Sequence, residues 1–86
     1  MSEQAFDVKI ITPTGEALST KAIYLRLPGK NGEIGVLANH TQTISILSEG
    51  PISYDTPNGE EKSHTIQEGI AHINPDSVLI LTPSVT

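Results

Sequence analysis

The sequence predicts an all-β fold, a sandwich or a barrel, and three observations predict it. Apolar residues recur with a period of two and not of 3.6. Clusters of Gly, Pro, Asn, Asp and Ser punctuate the chain at roughly the 8–12-residue spacing of sandwiches and barrels. No helix-period segment runs beyond a few residues, and Thr41-Gln42-Thr43 with Ile44-Ser45-Ile46 is too β-branched to favour a helix. There is no internal repeat and no low-complexity tract.

Each element has a local reason. Phe6, Val8 and Ile10 alternate with Asp7 and Lys9 as a half-buried strand, and Thr12-Pro13-Thr14-Gly15-Glu16 supplies turn residues. Ile23, Leu25 and Leu27 alternate with Tyr24 and Arg26. Pro28-Gly29-Lys30-Asn31-Gly32 ends that run, and Asn31-Gly32 suits a turn that needs positive φ. Glu33 to Val36 forms a short strand. Ile44 and Ile46 mark another, with Leu47 breaking the alternation, and Glu49-Gly50-Pro51 punctuates. Ile52 and Tyr54 read as a strand, Asp55 to Glu60 as a hairpin loop, and Lys62 to Gln67 as the strand that pairs back. Ile70 to Ile73 and Val78 to Leu81 are strands joined by the tight turn Asn74-Pro75-Asp76-Ser77. Residues 1–4 read as a frayed end. Val78-Leu79-Ile80-Leu81 is apolar at every position, so either both its faces are covered within the fold or one face is covered by a partner.

Composition narrows the function. A chain of 86 residues is one domain, here residues 1–86. A domain of this size buries about 60–65% of the surface its unfolded chain exposes, which leaves a thin core and argues against a deep substrate cleft. No Cys is present, which excludes disulfides and thiolate metal sites. Five Lys and Arg against ten Asp and Glu give a formal charge of −5. That sign opposes nucleic-acid binding, which runs on phosphate neutralisation, and adsorption to an anionic membrane surface. Met1-Ser2-Glu3-Gln4-Ala5 lacks the basic and apolar regions of a signal peptide. No apolar run approaches the ~18 residues a membrane span needs.

The candidates for chemistry are few. His40, His64 and His72 fit neither a helical i, i+4 pair nor a zinc spacing. His72 alternates with Ala71 and Ile73 and reads as a face-exposed or hydrogen-bonded structural histidine; His64, near the hairpin loop, reads as solvated. No G-x-S-x-G elbow or other nucleophile motif occurs, and Glu60-Glu61 reads as a solvated tip. Gly29-Lys30-Asn31-Gly32 lacks the order of a phosphate loop and the helix that would follow one. Three aromatics are too few for base stacking. No catalytic, cofactor or metal site is expected. From spacing alone, Glu33 reads as a solvated carboxylate beside a turn and His40 as a loop residue capping a local backbone group. A small ligand-binding or scaffold β-domain fits these observations, as does a non-catalytic part of a larger machine.

Lys30-Asn31-Gly32-Glu33-Ile34-Gly35-Val36-Leu37-Ala38-Asn39-His40 resembles the signature loop of the epsilon subunit of F-type ATP synthase. Phe6 to Pro13 resembles that family's opening strand, Ile44 to Gly50 its leucine-rich run, and Glu68 to Leu81 its closing hairpin. The likeness runs over about residues 5 to 84. It departs at Ala38 and Gln42, where the family usually has Pro, and at Glu68-Gly69, where Gly-Gly is common. The chain stops at Thr86, where the family usually continues into a C-terminal helical hairpin, so the hairpin's ATP binding and inhibition of hydrolysis are not expected of this chain.

The resemblance implies a flattened β-sandwich of about ten short, mainly antiparallel strands. It implies a non-catalytic central-stalk role, one copy per complex, between the gamma subunit and the c-ring, peripheral on the cytoplasmic face of an energy-transducing membrane such as the bacterial inner membrane. Carried over by position, Asn31, Gly32, Glu33 and His40 would face the polar loops of the c-ring, with Glu33 meeting basic side chains there. Val78, Leu79, Ile80 and Leu81 are the candidate grip on gamma.

Overall fold

Period-two patterning yields strands throughout. The computed structural model describes residues 4–86. In chain order the strands are β1 (Phe6–Thr12), β2 (Gly15–Ala22), β3 (Tyr24–Gly29), β4 (Gly32–Val36), β5 (Thr43–Leu47), β6 (Gly50–Asp55), β7 (Glu61–Ile66), β8 (Gly69–Ile73) and β9 (Ser77–Leu81). Nine strands therefore stand where about ten were expected. The pairing is antiparallel except between β1 and β9, which run parallel from Asp7↔Ser77 to Ile11↔Leu81.

All nine belong to one sheet that curls over to face itself. One layer has the order β2-β1-β9-β8-β5, and the other is built from β6, β7 and β4 around β3. The layers join at β3. Its two edges pair with β4 and β6, and its last residue alone pairs with β5, Gly29↔Leu47. Two backbone bonds flank that crossing: Lys30 N–H donates to Ile46 O at 3.0 Å, and Ser48 N–H donates to Pro28 O at 2.7 Å. The chain end straps the open edge of β7. Val85 bridges Ile66, and Thr65 and Thr86 exchange backbone hydrogen bonds. The buried Thr82 hydroxyl, 3.1 Å from the carbonyls of both Gln67 and Glu68, secures the start of this strap.

Alternation puts one residue set inside. Phe6, Val8 and Ile10 of β1, Leu25 and Leu27 of β3, Ala71 and Ile73 of β8, and Val78 and Ile80 of β9 form a single core with Val36, Leu47, Ile52, Tyr54 and Ile66. Val78-Leu81 is thus half core: Val78 and Ile80 are 2% and 0% exposed, while Leu81 is 40% exposed. Among the described residues nothing covers the outer face of β9 at Leu81.

Three local expectations need correction. The sequence suggested no strand over residues 15–22, yet β2 pairs with β1 along its length, with a bulge that sets Leu18 against Ile10 and Glu16 against Ile11. It is an edge strand with a mostly solvated side-chain set, so it carries no strong alternation. At the β3–β4 turn only Gly32 takes positive φ, 132°; Asn31 does not. His64, expected to be solvated, is half-buried and stacks on Tyr54 with ring centroids 6.2 Å apart. The frayed-end expectation falls, for residues 1–3, outside the described residues; Gln4 Oε1 accepts a hydrogen bond from Asn39 Nδ2 at 3.0 Å.

Leu25 lies at the centre of the core, whereas Ile44 is 65% exposed. Leu25→Ala should cost about 2–5 kcal/mol and Ile44→Ala less than about 0.5 kcal/mol, read from denaturant midpoints. Burial pushes the Tyr54 phenol above its ordinary value, against a smaller opposite pull from the Thr20 side chain. The neutral phenol is therefore favoured by the native state. Its stabilisation is complete below about pH 10, the ordinary tyrosine value, and is lost as pH rises through the raised native value. Unfolding curves taken from about pH 9 to 11 should show a steeper alkaline decline for the native chain than for Tyr54→Phe.

Candidate functional site

The β3–β4 hairpin turns through Lys30 and Asn31, with Gly29 opposite Gly32. Gly29 is required by close approach: a Cβ there would lie 2.5 Å from the Gly32 carbonyl oxygen and 2.7 Å from Ile34 Cδ1. The tip carries Asn31, Gly32 and Glu33, all exposed. It stands beside the edge of β5 that faces away from β8, leaving a concavity lined by Lys30, Asn31, Glu33, Ile34, Ile44 and Ile46. An acidic side chain and a basic one thus flank an apolar floor.

His40 does not share this place. Strand β4 separates it from the hairpin tip, and β4 alone spans roughly 14 Å at about 3.4 Å per residue. The loop that carries His40 turns on Asn39, at φ 66°, and is tied to the β8–β9 turn by the Asn39 N–H bond to Pro75 O at 2.6 Å. The His40 ring donates from Nδ1 to the Thr41 carbonyl at 2.7 Å, the local cap that its loop position suggested. The fold therefore gathers Asn31, Gly32 and Glu33 and holds His40 apart from them.

Beyond β9, the sequence did not point to the outer face of the β2-β1-β9-β8-β5 layer. Register aligns Ile46, Ile70, Leu81 and Ile11 in one row across β5, β8, β9 and β1. A second row runs Ile44, His72, Leu79 and Lys9. Ile44 and Ile46 are 65% and 60% exposed, and Ile70 is 43% exposed. In β5 the ordinary arrangement is reversed, with isoleucines outward and Thr43 and Ser45 turned to Ile73 and Ala71 on the core side. Contiguous exposed apolar surface of this kind marks a contact face. The usable signal in the sequence was Leu47, whose burial sets the phase of β5 opposite to its isoleucines. Val78 and Ile80, expected with Leu79 and Leu81 to form a grip, are removed from the surface by their place in the core, and only Leu79 and Leu81 face outward from β9.

The opposite outer face is polar. Arg26 crosses from β3 to β6, donating to both Asp55 carboxylate oxygens at 3.2 and 3.3 Å and to Ser53 Oγ at 3.1 Å, with its guanidinium 4.8 Å over the Tyr24 ring. The hydrogen bond to Asp55 is the main cause that raises the Arg26 pKa above its ordinary value, so its charge is constant. This is a cross-strand clamp. Among the described residues no three His, Asp or Glu side chains converge as metal ligands do.

Comparison with known proteins gives one consistent answer. Residues 5–86 match the family described as ATP synthase, Delta/Epsilon chain, beta-sandwich domain. The chain is 41% identical over 76 residues to the ATP synthase epsilon chain of Koribacter versatilis, covering 88% of this chain and 53% of that one. It is 37% identical over 76 residues to the epsilon chain of Desulfitobacterium hafniense, covering 88% and 57%. The chain thus spans little more than half the length of these curated relatives. Its fold is that of a chain of the Euglena gracilis mitochondrial ATP synthase OSCP/F1/c-ring assembly, with a TM-score of 0.90 at 23% identity over 100% of this chain and 55% of that one. It also matches a chain from the central stalk/c-ring of the Tetrahymena thermophila mitochondrial ATP synthase, with a TM-score of 0.78 at 12% identity over 100% and 69%.

Gly29→Ala should displace the hairpin tip, because the added methyl meets backbone that cannot yield as a flexible side chain would. A loss of about 1–3 kcal/mol is expected, with amide chemical-shift changes concentrated at residues 30–34 and the β2 amides unmoved.

Proposed function

Because the chain belongs to the ATP synthase delta/epsilon family through its β-sandwich domain, we propose that it is a non-catalytic central-stalk subunit of a proton-translocating F-type ATP synthase, coupling rotation of the c-ring to the gamma shaft. The observation that carries the reading is the outward apolar stripe of Ile44, Ile46, Ile70, Leu79 and Leu81 on this fold. Gamma is the occupant of that stripe. Burial of apolar surface supplies the association but no orientation. Orientation comes from polar points at the border, and Glu33 on the hairpin tip, meeting basic loops of the c-ring, is one of them; charge complementarity sets register and specificity more than affinity. Asn31 and Gly32 share that contact through the tip. His40, on its separate loop, marks a second and distinct point toward the ring.

The mechanism is mechanical. A curled sheet with a single core and a strapped edge resists shear between its two outer faces, so a torque applied at the hairpin reaches the stripe with little loss to deformation. The subunit works once per complex, peripheral to an energy-transducing membrane on its cytoplasmic face. It needs no cofactor for this task.

Two measurements test the reading. Ile46→Asp with Leu81→Asp places charge in the stripe without touching the core, and should weaken binding to the cognate gamma subunit at least tenfold, at a cost of about 1–3 kcal/mol per anchor, while the melting temperature holds. Unchanged affinity would remove the stripe from the interface. Glu33→Arg should lower ATP-driven proton pumping in the reconstituted complex more than it lowers ATP hydrolysis, with Glu33→Gln intermediate; intact coupling in both variants would remove Glu33 from the c-ring contact.

A further inference from the structure

We infer that His72 makes docking on the outer apolar face acid-sensitive: the gamma shaft covers a neutral imidazole there, and protonation of His72 opposes the docked state. The inference rests on the reading of that face as the gamma contact.

The geometry places an ionisable ring inside the stripe rather than at its edge. His72 is exposed on β8. Its cross-strand partners on the two sides are Ile44 of β5 and Leu79 of β9. Ile70, two residues earlier on the same face, is 43% exposed. A surface that covers Ile44, Ile70 and Leu79 therefore covers His72 as well. An imidazole changes charge between about pH 5 and 8, unlike the other side chains at their ordinary values. Removing water from it in apolar surroundings disfavours the charged form.

The charged groups around it do not offset that effect. The outer face of β5 presents only Ile44 and Ile46, and that of β9 presents Ser77, Leu79 and Leu81, none of them titratable. On β1 the residue in the His72 row is Lys9, about two strand spacings or 10 Å away, a like charge to a protonated ring. The nearby acids Glu16 and Asp7 are engaged by Lys9 at 3.7 Å and by Lys21 at 2.9 Å. Glu68 and Asp76 lie beyond the two ends of β8, each four residues from His72. Among the described residues nothing on the face itself is placed to hold a buried imidazolium. The sign follows from linkage: the docked state favours the neutral form, so affinity is full above the titration range and declines as pH falls through it.

The test measures the affinity of the whole chain for its cognate gamma subunit from about pH 7.5 to 5.5, for the native chain, His72→Gln and His72→Phe. The native chain should lose about fivefold in affinity across that range. Both variants should bind at the upper pH and lose clearly less on acidification, since neither titrates. Because gamma has its own titrating groups, the decisive quantity is the difference in slope between the native chain and His72→Gln. Equal slopes, a flat native profile, or tighter native binding at low pH would overturn the inference while leaving gamma docking intact. Absence of native binding at every pH would overturn the gamma reading, and this inference with it.

Discussion

One crossing governs this molecule: Gly29 of β3 pairs with Leu47 of β5, and the bonds from Lys30 to Ile46 and from Ser48 to Pro28 hold the two strands together there. It is the strand pairing that joins the two layers into one sheet. With it, β3 belongs to both layers, the layers close on a single core, and β5 is held with Leu47 inward. That choice of phase turns Ile44 and Ile46 to solvent. The apolar stripe is therefore a consequence of how the sheet is folded, and the same crossing carries the hairpin tip to the border of the stripe.

The fold was legible wherever one face is buried and the other wet. In β1, Phe6, Val8 and Ile10 alternate with charged residues, and burial follows the pattern. In β2 the alternation fails because an edge strand with a solvated outer set places almost no side chains in the core, so Gly15 to Ala22 carried only weak information. In β5 the period was right but the phase was hidden: Ile44 and Ile46 look like core residues until the pairing of Ser45 with Ala71 and of Thr43 with Ile73 is known. Period is a property of the segment, whereas phase depends on which neighbour it meets.

The candidate site divides in the same way. The signature around Gly32 and Glu33 was visible as a motif, and it does form an exposed hairpin tip. Its nearness in sequence to His40 suggested one loop, but β4 lies between them and the Asn39–Pro75 bond anchors the histidine elsewhere. The run Val78-Leu81 announced a doubly apolar strand, and burial divides it: Val78 and Ile80 lie in the core, while Leu79 and Leu81 face outward. No residue pattern along a single strand could reveal rows that exist only across β5, β8, β9 and β1.

The parallel pairing of β1 with β9 has a further consequence. Asp7 and Ser77 lie seventy positions apart in the chain, yet they are neighbours in the middle of a layer. A ribosome must therefore have made residues 77–81 before the first strand gains its second neighbour. Until then β1 has only β2 beside it, and a lone two-stranded ribbon is marginal in water. Closing such a distant pair delays the reward for chain entropy already lost, placing this domain among the slower folders of its length.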